Sequence, residues 1–510
     1  MALPSIEFIK GQGGLGRALP GQDYISGLLF LNGYIPSDFD SNNRVEAFYS
    51  VADAVAAGIT DTYSDATAAT GTVQVTNKGA DGDTLTIEVD ELDGTGAVQT
   101  TTLCVYTKAS TEANTAAVAT KVAALINAGQ YTHGYTASVN TSTVTITAPK
   151  KQGEYLNTGT PIACTIVGTI AVTTTQFSGG VASQMAVMYY HISEFFRIQP
   201  KGVLYVGCFD EPTTYDFAEV TLMQQYAAGK IRQVAVYVDK ANFATAHMTS
   251  LQTILEANAA LYQPLSAVYM GDLVSTTDIT TLSDLNAYSN ELVSACIAQD
   301  GAAQGRFLYL TCGVSIGCLG ALLGTIAAAK VSESIAWVGK FDLSNGTELE
   351  TLSFANGTLF SDTTVTESLL SGLNDKRYIF LKKFNGKAGS YWNDSHTAVI
   401  ASSDYAYIEN NRTIDKATRL LYTTYLPDLN SPLQLNADGT LSDNTIAYLE
   451  SKGDTALDQM IRDAELSAKS VTIDPSQDVL TTSKIVVSVK LLINGVARTI
   501  EIPIGFTTSI

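Results

Sequence analysis

The chain of 510 residues carries 50 acidic against 30 basic side chains, a net charge of -20, with 45% apolar and 16% charged residues. Such an excess of negative charge repels phosphate backbones and anionic lipid surfaces, so the expected partners include no nucleic acid and no direct membrane contact. The composition is that of a folded chain, and its length exceeds what one hydrophobic core supports, which suggests about three domains.

Residues 6–9, IEFI, read as a short strand, followed by Gly11, Gly13 and Gly16 in the G-x-G-x-x-G spacing of a dinucleotide site. That chemistry needs a helix opening at the last glycine, and Pro20-Gly21 ends any helix within its first turn. A pliable glycine-rich segment is expected instead. Asp38-x-Asp40-x-Asn42 begins like a calcium loop but has Asn43 where glycine is required and Tyr49 where the bidentate Glu belongs. A helix is predicted over 45–57 (Val45, Phe48, Ala52, Val55).

Between about 70 and 180 the chain turns rich in Thr, Val, Gly and Ala, with period-two stretches at 72–77, 84–92, 135–139 and 143–148. One amphipathic helix, 112–128, carries Val118, Val122, Leu125 and Ile126 on a stripe, and Asp81-Gly82-Asp83 reads as a turn. Flanked by Ala69-Thr70-Gly71 and Ser178-Gly179-Gly180, the module reads as an insertion. A helix over 181–196 (Val181, Met185, Met188, Ile192, Phe195) leads into apolar runs at 203–207, 234–238, 265–270, 306–310 and 335–339. Apolar runs separated by helix-length segments predict an α/β fold with a mostly parallel sheet covered on both faces.

Gly313-Val314-Ser315-Ile316-Gly317 has the G-x-S-x-G spacing of a nucleophile elbow, after the expected strand RFLYL and before an Ala/Leu-rich helix. A triad would draw on His133, His191, His247 or His396, through Ser315, Asp342 or Asp394 and His396, or through Asp210 or Asp239, His247 and Ser315. The plainer expectation makes Ser315 the N-cap of the following helix and His247 a satisfied core histidine on a helical stripe. Cys104, Cys164, Cys208, Cys296, Cys312 and Cys318 form no C-x-x-C pair, so no zinc site or disulfide framework is expected and a reducing compartment suits them. There is no 18-residue apolar run, and MALPSIEFIKG lacks the parts of a signal peptide, so neither a membrane span nor secretion by a leader is predicted.

Beyond about 375 the chain is polar and Tyr-rich, then predicts a long helix over 442–468 with Ile446, Leu449, Leu457, Met460, Ile461 and Ala464 on one side. Its other side carries Asp443, Glu450, Asp454, Asp458, Arg462, Asp463 and Glu465. KIVVSVKLLINGVARTIEIPI (484–504) reads as two strands joined at Asn494-Gly495, with Ile485, Val487, Val489, Leu491 and Ile493 on one face of the first and Ile500, Ile502 and Ile504 on the second. A two-stranded ribbon needs a partner sheet, at home or on another subunit.

Taken in order, PSIEFIKGQGGLGRALPGQDYISGLL, YSVADAVAAGIT, GSYWNDSHTAVIASSDYAYIENNRTIDKATRLL (389–421), NADGTLSD before the long helix, and the terminal strands resemble the sheath proteins of contractile phage tails and of phage-like injection particles. Asp404-Tyr405, Ile408, Asn410, Asn411, Arg412, Asp415, Lys416 and Arg419 look like that family's strand-into-helix signature, and GDTLTIEV with AVATKVAALINA looks like its β-rich decorating domain. The resemblance implies an α/β portion of subtilisin-like shape without protease activity and with no nucleotide consumed, and the motifs themselves predict no cofactor and no metal. It divides the chain into an N-terminal arm (1–22), an α/β core (23–69 with 181–375), an inserted β-rich domain (70–180), a C-terminal sheath domain (376–470) and a C-terminal β arm (471–510).

It further implies arms that pair with neighbouring subunits, here through Gly11, Gly13, Gly16, Ile485, Val487, Val489, Leu491, Ile500 and Ile502, and tube contact through Glu450, Asp454, Asp458 and Arg462. The implied partners are further copies in stacked rings of six, a tail tube protein, and baseplate and tail terminator proteins. The implied place is a virion tail assembled in the bacterial host cytoplasm. Alternatives are a serine hydrolase of the α/β type at Ser315 and another tail structural protein.

Overall fold

The seven residues Ile25–Leu31 form strand β1, and every one of them is buried. In the computed structural model, which describes residues 22–507, β1 is the centre of the main sheet. A strand covered on both faces shows no alternation, so ISGLLFL gives a continuous apolar run and no period-two signal. Next in the chain come β2 (Val45–Phe48) and the short helix α1 (Val51–Ala56). The helix expected over 45–57 is thus confined to its second half. Ser50 starts it late by accepting a hydrogen bond from the Asp53 N–H, while Val45 and Phe48 are buried as strand residues.

Residues 70–178 fold into two antiparallel sheets around their own apolar cluster. Their elements are β3 (Thr70–Asn77), β4 (Thr84–Leu92), β5 (Val98–Thr107), α2 (Thr115–Ala128), β6 (Thr136–Asn140), β7 (Thr143–Thr147), β8 (Ile162–Val167) and β9 (Ala171–Ser178). The sheets run β6-β7-β3-β9 and β5-β4-β8, and Val118, Val122 and Ile126 of α2 pack into the cluster. This unit docks on the core at Gly153, whose φ of 50° and close approach leave a Cβ only 2.6 Å from the Thr311 carbonyl oxygen. The Glu154 N–H donates to that same carbonyl at 2.8 Å.

The chain then returns through α3 (Gln184–Ile198), β10 (Val203–Phe209), β11 (Gln233–Asn242), β12 (Ser266–Asp272) and β13 (Val293–Ala295). The main sheet has the order β13-β12-β11-β1-β10-β2, parallel throughout except for the antiparallel edge strand β2. The fold is therefore α/β with a mostly parallel sheet. Two expected strands are absent. RFLYL lies in helix α4 (Ala303–Cys312), which buries Phe307 and Leu308, and IAWVG forms turns around a buried Ile335. Short apolar runs fit a buried helix as well as a strand. Helix α5 (Leu319–Ala328) crosses α3 closely because Gly320 and Gly324 face its backbone; a Cβ on Gly320 would stand 2.1 Å from the His191 carbonyl oxygen.

The C-terminal part is built on α6 (Ile408–Tyr425) and α7 (Asp443–Arg462), followed by β14 (Leu466–Ile473) and β15 (Val487–Ile493). Ser442 caps α7 by accepting from the Thr445 N–H. The helix ends six residues earlier than the expected 468: Ala464 turns the chain at φ 56°, and Leu466 enters a strand. The expected hairpin at Asn494-Gly495 does not form. β15 pairs antiparallel with the preceding β14 (Leu466↔Ile493, Ile473↔Val487), and neither Asn494 nor Gly495 takes the positive φ of a type I′ turn. The Asn494 side chain instead donates to the Ala464 carbonyl at 2.6 Å and accepts from Ser467 Oγ at 2.8 Å.

Candidate assembly interface

The residues with the most to say about function surround α6, where both chain ends are rooted. Arg412, Lys416 and Arg419 recur at i, i+4 and i+7, so they share one face of the helix. All three converge on Asp23, two residues before β1. Its carboxylate meets Arg419 Nη2 at 2.7 Å and Lys416 Nζ at 2.8 Å, and its carbonyl accepts from Arg412 Nη2 at 3.2 Å. Burial alone would raise the Asp23 pKa, but Lys416, Arg419 and Arg412 outweigh it and hold the carboxyl below its ordinary value. Burial lowers the fully enclosed Arg412 guanidinium to about 10, and its other nitrogen donates to the carbonyls of Ala329 and Lys330 at 3.2 Å. Lys416 also pairs with Glu465 at 2.7 Å, which ties α6 to the turn before β14. Gly11, Gly13 and Gly16 lie outside the described residues.

The first turn of α6 and the residues just before it receive the C-terminal segment through Arg498. Its Nε lies 2.9 Å from Asp394 Oδ2, and its Nη2 lies 2.7 Å from Glu409 Oε1 and 3.3 Å from Ser395 Oγ. The guanidinium carbon stands 3.4 Å from the centroid of the Tyr407 ring, whose other cationic neighbour is Arg377 at 4.9 Å. Burial pushes the Glu409 carboxyl up, against the opposing pull of Arg498. The segment 495–500 walls one side of a cleft of about 1090 Å³, with Trp337, Arg377, His396 and Tyr407 across it.

The arm expected from the sequence therefore divides at Asn494. Val489 and Leu491 pack at home on Val331, Ala417, Leu457 and Met460, while Ile485 and Val487 pack on Leu441, Leu449 and Ile473. Past Arg498 the situation reverses. Ile500 and Ile502 are each 77% exposed, Ile504 94% and Phe506 fully so, and the backbone from 494 to 506 belongs to no sheet.

The acidic side of α7 is partly engaged within the subunit. Glu450 Oε1 accepts from the Ile473 N–H at 2.7 Å, and Asp454 and Asp458 flank Lys469 Nζ at 3.0 and 2.8 Å. These acids brace α7 on β14. Arg462 is exposed and donates to Gln459 Oε1.

Ser315 does not stand in an elbow, because the segment before it is helix α4. Buried at 1% exposure, its Oγ accepts from the Leu273 N–H at 2.9 Å and donates to the Ala355 carbonyl at 2.6 Å. Nor does it cap α5, whose N-cap is Cys318. The histidines are engaged elsewhere: His247 Nδ1 with Tyr269 Oη at 2.8 Å, His396 Nε2 with Asn374 Oδ1 at 3.1 Å, and His191 Nδ1 accepting from the Gly320 N–H at 3.3 Å. Asp394 is taken by Arg498, Asp210 by Arg44, and Asp239 accepts from Gln184. The Asp40 carboxylate closes its own turn on the N–H groups of Asn42 and Asn43. Among the described residues no group of three His, Cys, Asp or Glu side chains is placed to hold a metal, and no helix is long and apolar enough to cross a membrane.

No curated protein matches the chain. Solved structures similar to it include the helical sheath of the anti-feeding prophage in its contracted state, 16% identical over 63% of this chain and 81% of that one with a TM-score of 0.43. The sheath complex of an extracellular contractile injection system, PVC, in its contracted state is 14% identical over 63% of this chain and 80% of that one, with a TM-score of 0.41. The family model described as DUF2586, N-terminal domain, matches residues 92–396, and DUF2586, C-terminal domain, matches residues 404–510. The first alone spans more than half the chain, and the two follow one another in order: the chain belongs to the DUF2586 family.

Proposed function

We propose that this chain is the structural subunit of a contractile sheath, which polymerises around a tail tube and works by rearrangement instead of by chemistry. The observation that carries this reading is the C-terminal segment: held at Arg498, it then runs out with Ile500, Ile502, Ile504 and Phe506 exposed and its backbone outside any sheet. An exposed apolar segment whose backbone lies in no sheet is suited to adding as a strand to a neighbour's sheet, where main-chain hydrogen bonds give continuity and alternate side chains give fit. The order of sequence motifs along the whole chain supports the same reading.

In this proposal the subunits form rings of six stacked along the tube, between a baseplate and a tail terminator, in an infectious tail or an injection particle assembled in the host cytoplasm. The α/β core, of subtilisin-like shape, serves as a rigid body. The residues 1–22, with Gly11, Gly13 and Gly16, form a second exchanged arm. The α7 face with Glu450, Asp454, Asp458 and Arg462 is directed to the tube, Asp454 and Asp458 remaining 52% and 46% exposed beside Lys469. An extended lattice that is only metastable contracts when triggered, each subunit contributing a few kcal/mol because many move together. With -20 charges per subunit, polymerisation is favoured by added salt.

The test is negative-stain microscopy and sedimentation of the purified full-length protein over a range of concentration and ionic strength. Long hollow tubes are expected. Subunits that stay monomeric throughout, up to millimolar concentration, would refute the proposal.

A further inference from the structure

The C-terminal arm has a root and an exported part, and the contacts of Arg498 locate the boundary between them. Upstream, β15 is paired along its length with β14 of the same subunit, and Asn494 is fastened by the Ala464 carbonyl and Ser467. From Ile493 to position 498 is five residues, which span at most about 17 Å fully extended. The plug thus has a short tether, and its own socket lies within reach.

The socket is built for a guanidinium. Asp394 and Glu409 supply carboxylates to two different nitrogens, Ser395 adds an acceptor, and the Tyr407 ring lies flat enough for a 3.4 Å contact with the cationic carbon. Ser395 Oγ donates at 2.6 Å to the second oxygen of Glu409, so the socket is fixed before the arginine arrives. Glu409 is 3% exposed and Asp394 8%. Withdrawing Arg498 would leave both carboxylates enclosed without their cation, which opposes release. Two residues further on, Ile500 is 77% exposed, and none of the described residues after it belongs to a strand.

We infer that Arg498 is the pivot at which the C-terminal arm leaves its subunit, so that residues 494–498 stay in their own socket during assembly and only the chain from 499 onward pairs with a second copy. This rests on the sheath reading and sharpens it. It makes the Arg498 socket the element that sets the direction and register in which the exported strand is presented.

The test uses full-length Arg498→Lys subunits prepared separately with light and heavy nitrogen, mixed, polymerised, and treated with a carbodiimide, which joins an amine to a touching carboxylate without a spacer. Digestion and mass spectrometry then read the peptides that link position 498 to Asp394 or Glu409. Linked peptides of a single isotope, in polymers as in free subunits, are expected. Light–heavy hybrids, or loss of the link on polymerisation, would overturn the pivot. A second arm mixes Arg498→Ala subunits with Asp394→Asn/Glu409→Gln subunits. Each alone should need about tenfold more protein to polymerise, and the mixture no less, because no subunit carries both halves. Recovery in the mixture would mean the plug is exchanged, and unaltered polymerisation of Arg498→Ala would mean the socket is dispensable; either overturns the inference. Wild-type protein that forms no polymer refutes the sheath reading and the pivot with it, and microscopy detects that failure before any cross-linking.

Discussion

Deleting residues 500–510 removes the strand proposed to be exported. Ile500, Ile502, Ile504 and Phe506 are 77–110% exposed, and none belongs to a buried cluster, so the monomer should change in stability by no more than about 0.5 kcal/mol, as for an ordinary surface change. The polymer loses far more. Each of these four side chains is worth about 1.5–3 kcal/mol when fully buried, a gross gain of roughly 6–12 kcal/mol per contact. If ordering an extended segment consumes half of it, about 3–6 kcal/mol remains, or a factor of about 10² to 10⁴ in association. Sedimentation velocity and negative-stain microscopy read the polymerisation threshold, and thermal melts read the monomer. A deletion from residue 484 is a different experiment: it removes Val489 and Leu491 from the cluster around Leu457 and Met460 and should cost about 2–5 kcal/mol of folding stability. Truncated subunits that polymerise at the wild-type threshold would refute the assignment of the arm. So would a truncation at 500 that melts as low as the longer deletion.

Asp23→Asn removes the carboxylate shared by Lys416 and Arg419, leaving the buried Arg419 guanidinium without its ion-pair partner while Lys416 keeps Glu465, and should cost about 3–5 kcal/mol in denaturant titrations. Because the folded pKa of Asp23 is lowered, its contribution is present above the ordinary Asp value and lost as pH falls through the folded one; the variant should therefore melt with less dependence on pH below about 4. Burial holds His191 neutral, with its pKa lowered to about 3, whereas the unfolded chain takes up that proton below about 6.5. Stability should fall by up to about 1.4 kcal/mol per pH unit as pH drops through that window, and His191→Phe should flatten the slope by one proton while losing about 1 kcal/mol with the Gly320 contact. An unchanged slope would place the proton elsewhere. Gly153→Ala puts a methyl 2.6 Å from the Thr311 carbonyl at φ 50° and should cost about 1–3 kcal/mol at the docking of the inserted unit. Hydrogen exchange should then rise at 150–157 and in α4 but not around Val73 and Leu85; equal protection throughout would show that the contact is not what holds the unit.

What was legible in the sequence follows from how many faces of each element are covered. The strands at 72–77, 84–92 and 143–148 have one face on the α2 cluster and one outside, so their period of two survives in the residues. β1 is covered on both faces and leaves only an apolar run, the same signal that made the helix of RFLYL read as a strand. Asn494-Gly495 is a strong local turn signal, yet β14 lies beside α7 and offers β15 a partner whose far side is already packed, so the tertiary pairing prevails. The two roots were half legible. Arg412, Lys416 and Arg419 at helical spacing announce a face in need of an anion, and Arg498 is a lone cation in an apolar alternation. Nothing local links them to Asp23, 389 residues from Arg412, or to Asp394, 104 residues from Arg498.

One helix thus holds Asp23 and Arg498 with opposite charges placed along its first two-thirds. The first turn of α6 presents Glu409, behind Tyr407, to a C-terminal cation; over the following three turns the same helix presents Arg412, Lys416 and Arg419 to an N-terminal anion. From 409 to 419 is about 15 Å along the axis, so the two roots are separated by a rod too short to bend appreciably. The rod is itself fixed to the core, through Arg412 on the carbonyls of Ala329 and Lys330, Thr413 on that of Val331, and Asn411 on that of Glu291. In the proposed lattice, a force arriving at Asp23 or at Arg498 acts on the core within a few bonds and reaches the other root through α6. For the contracting lattice proposed above, this places the compliance outside the roots, in the exposed C-terminal segment beyond Arg498, and leaves the body between them to move as one piece.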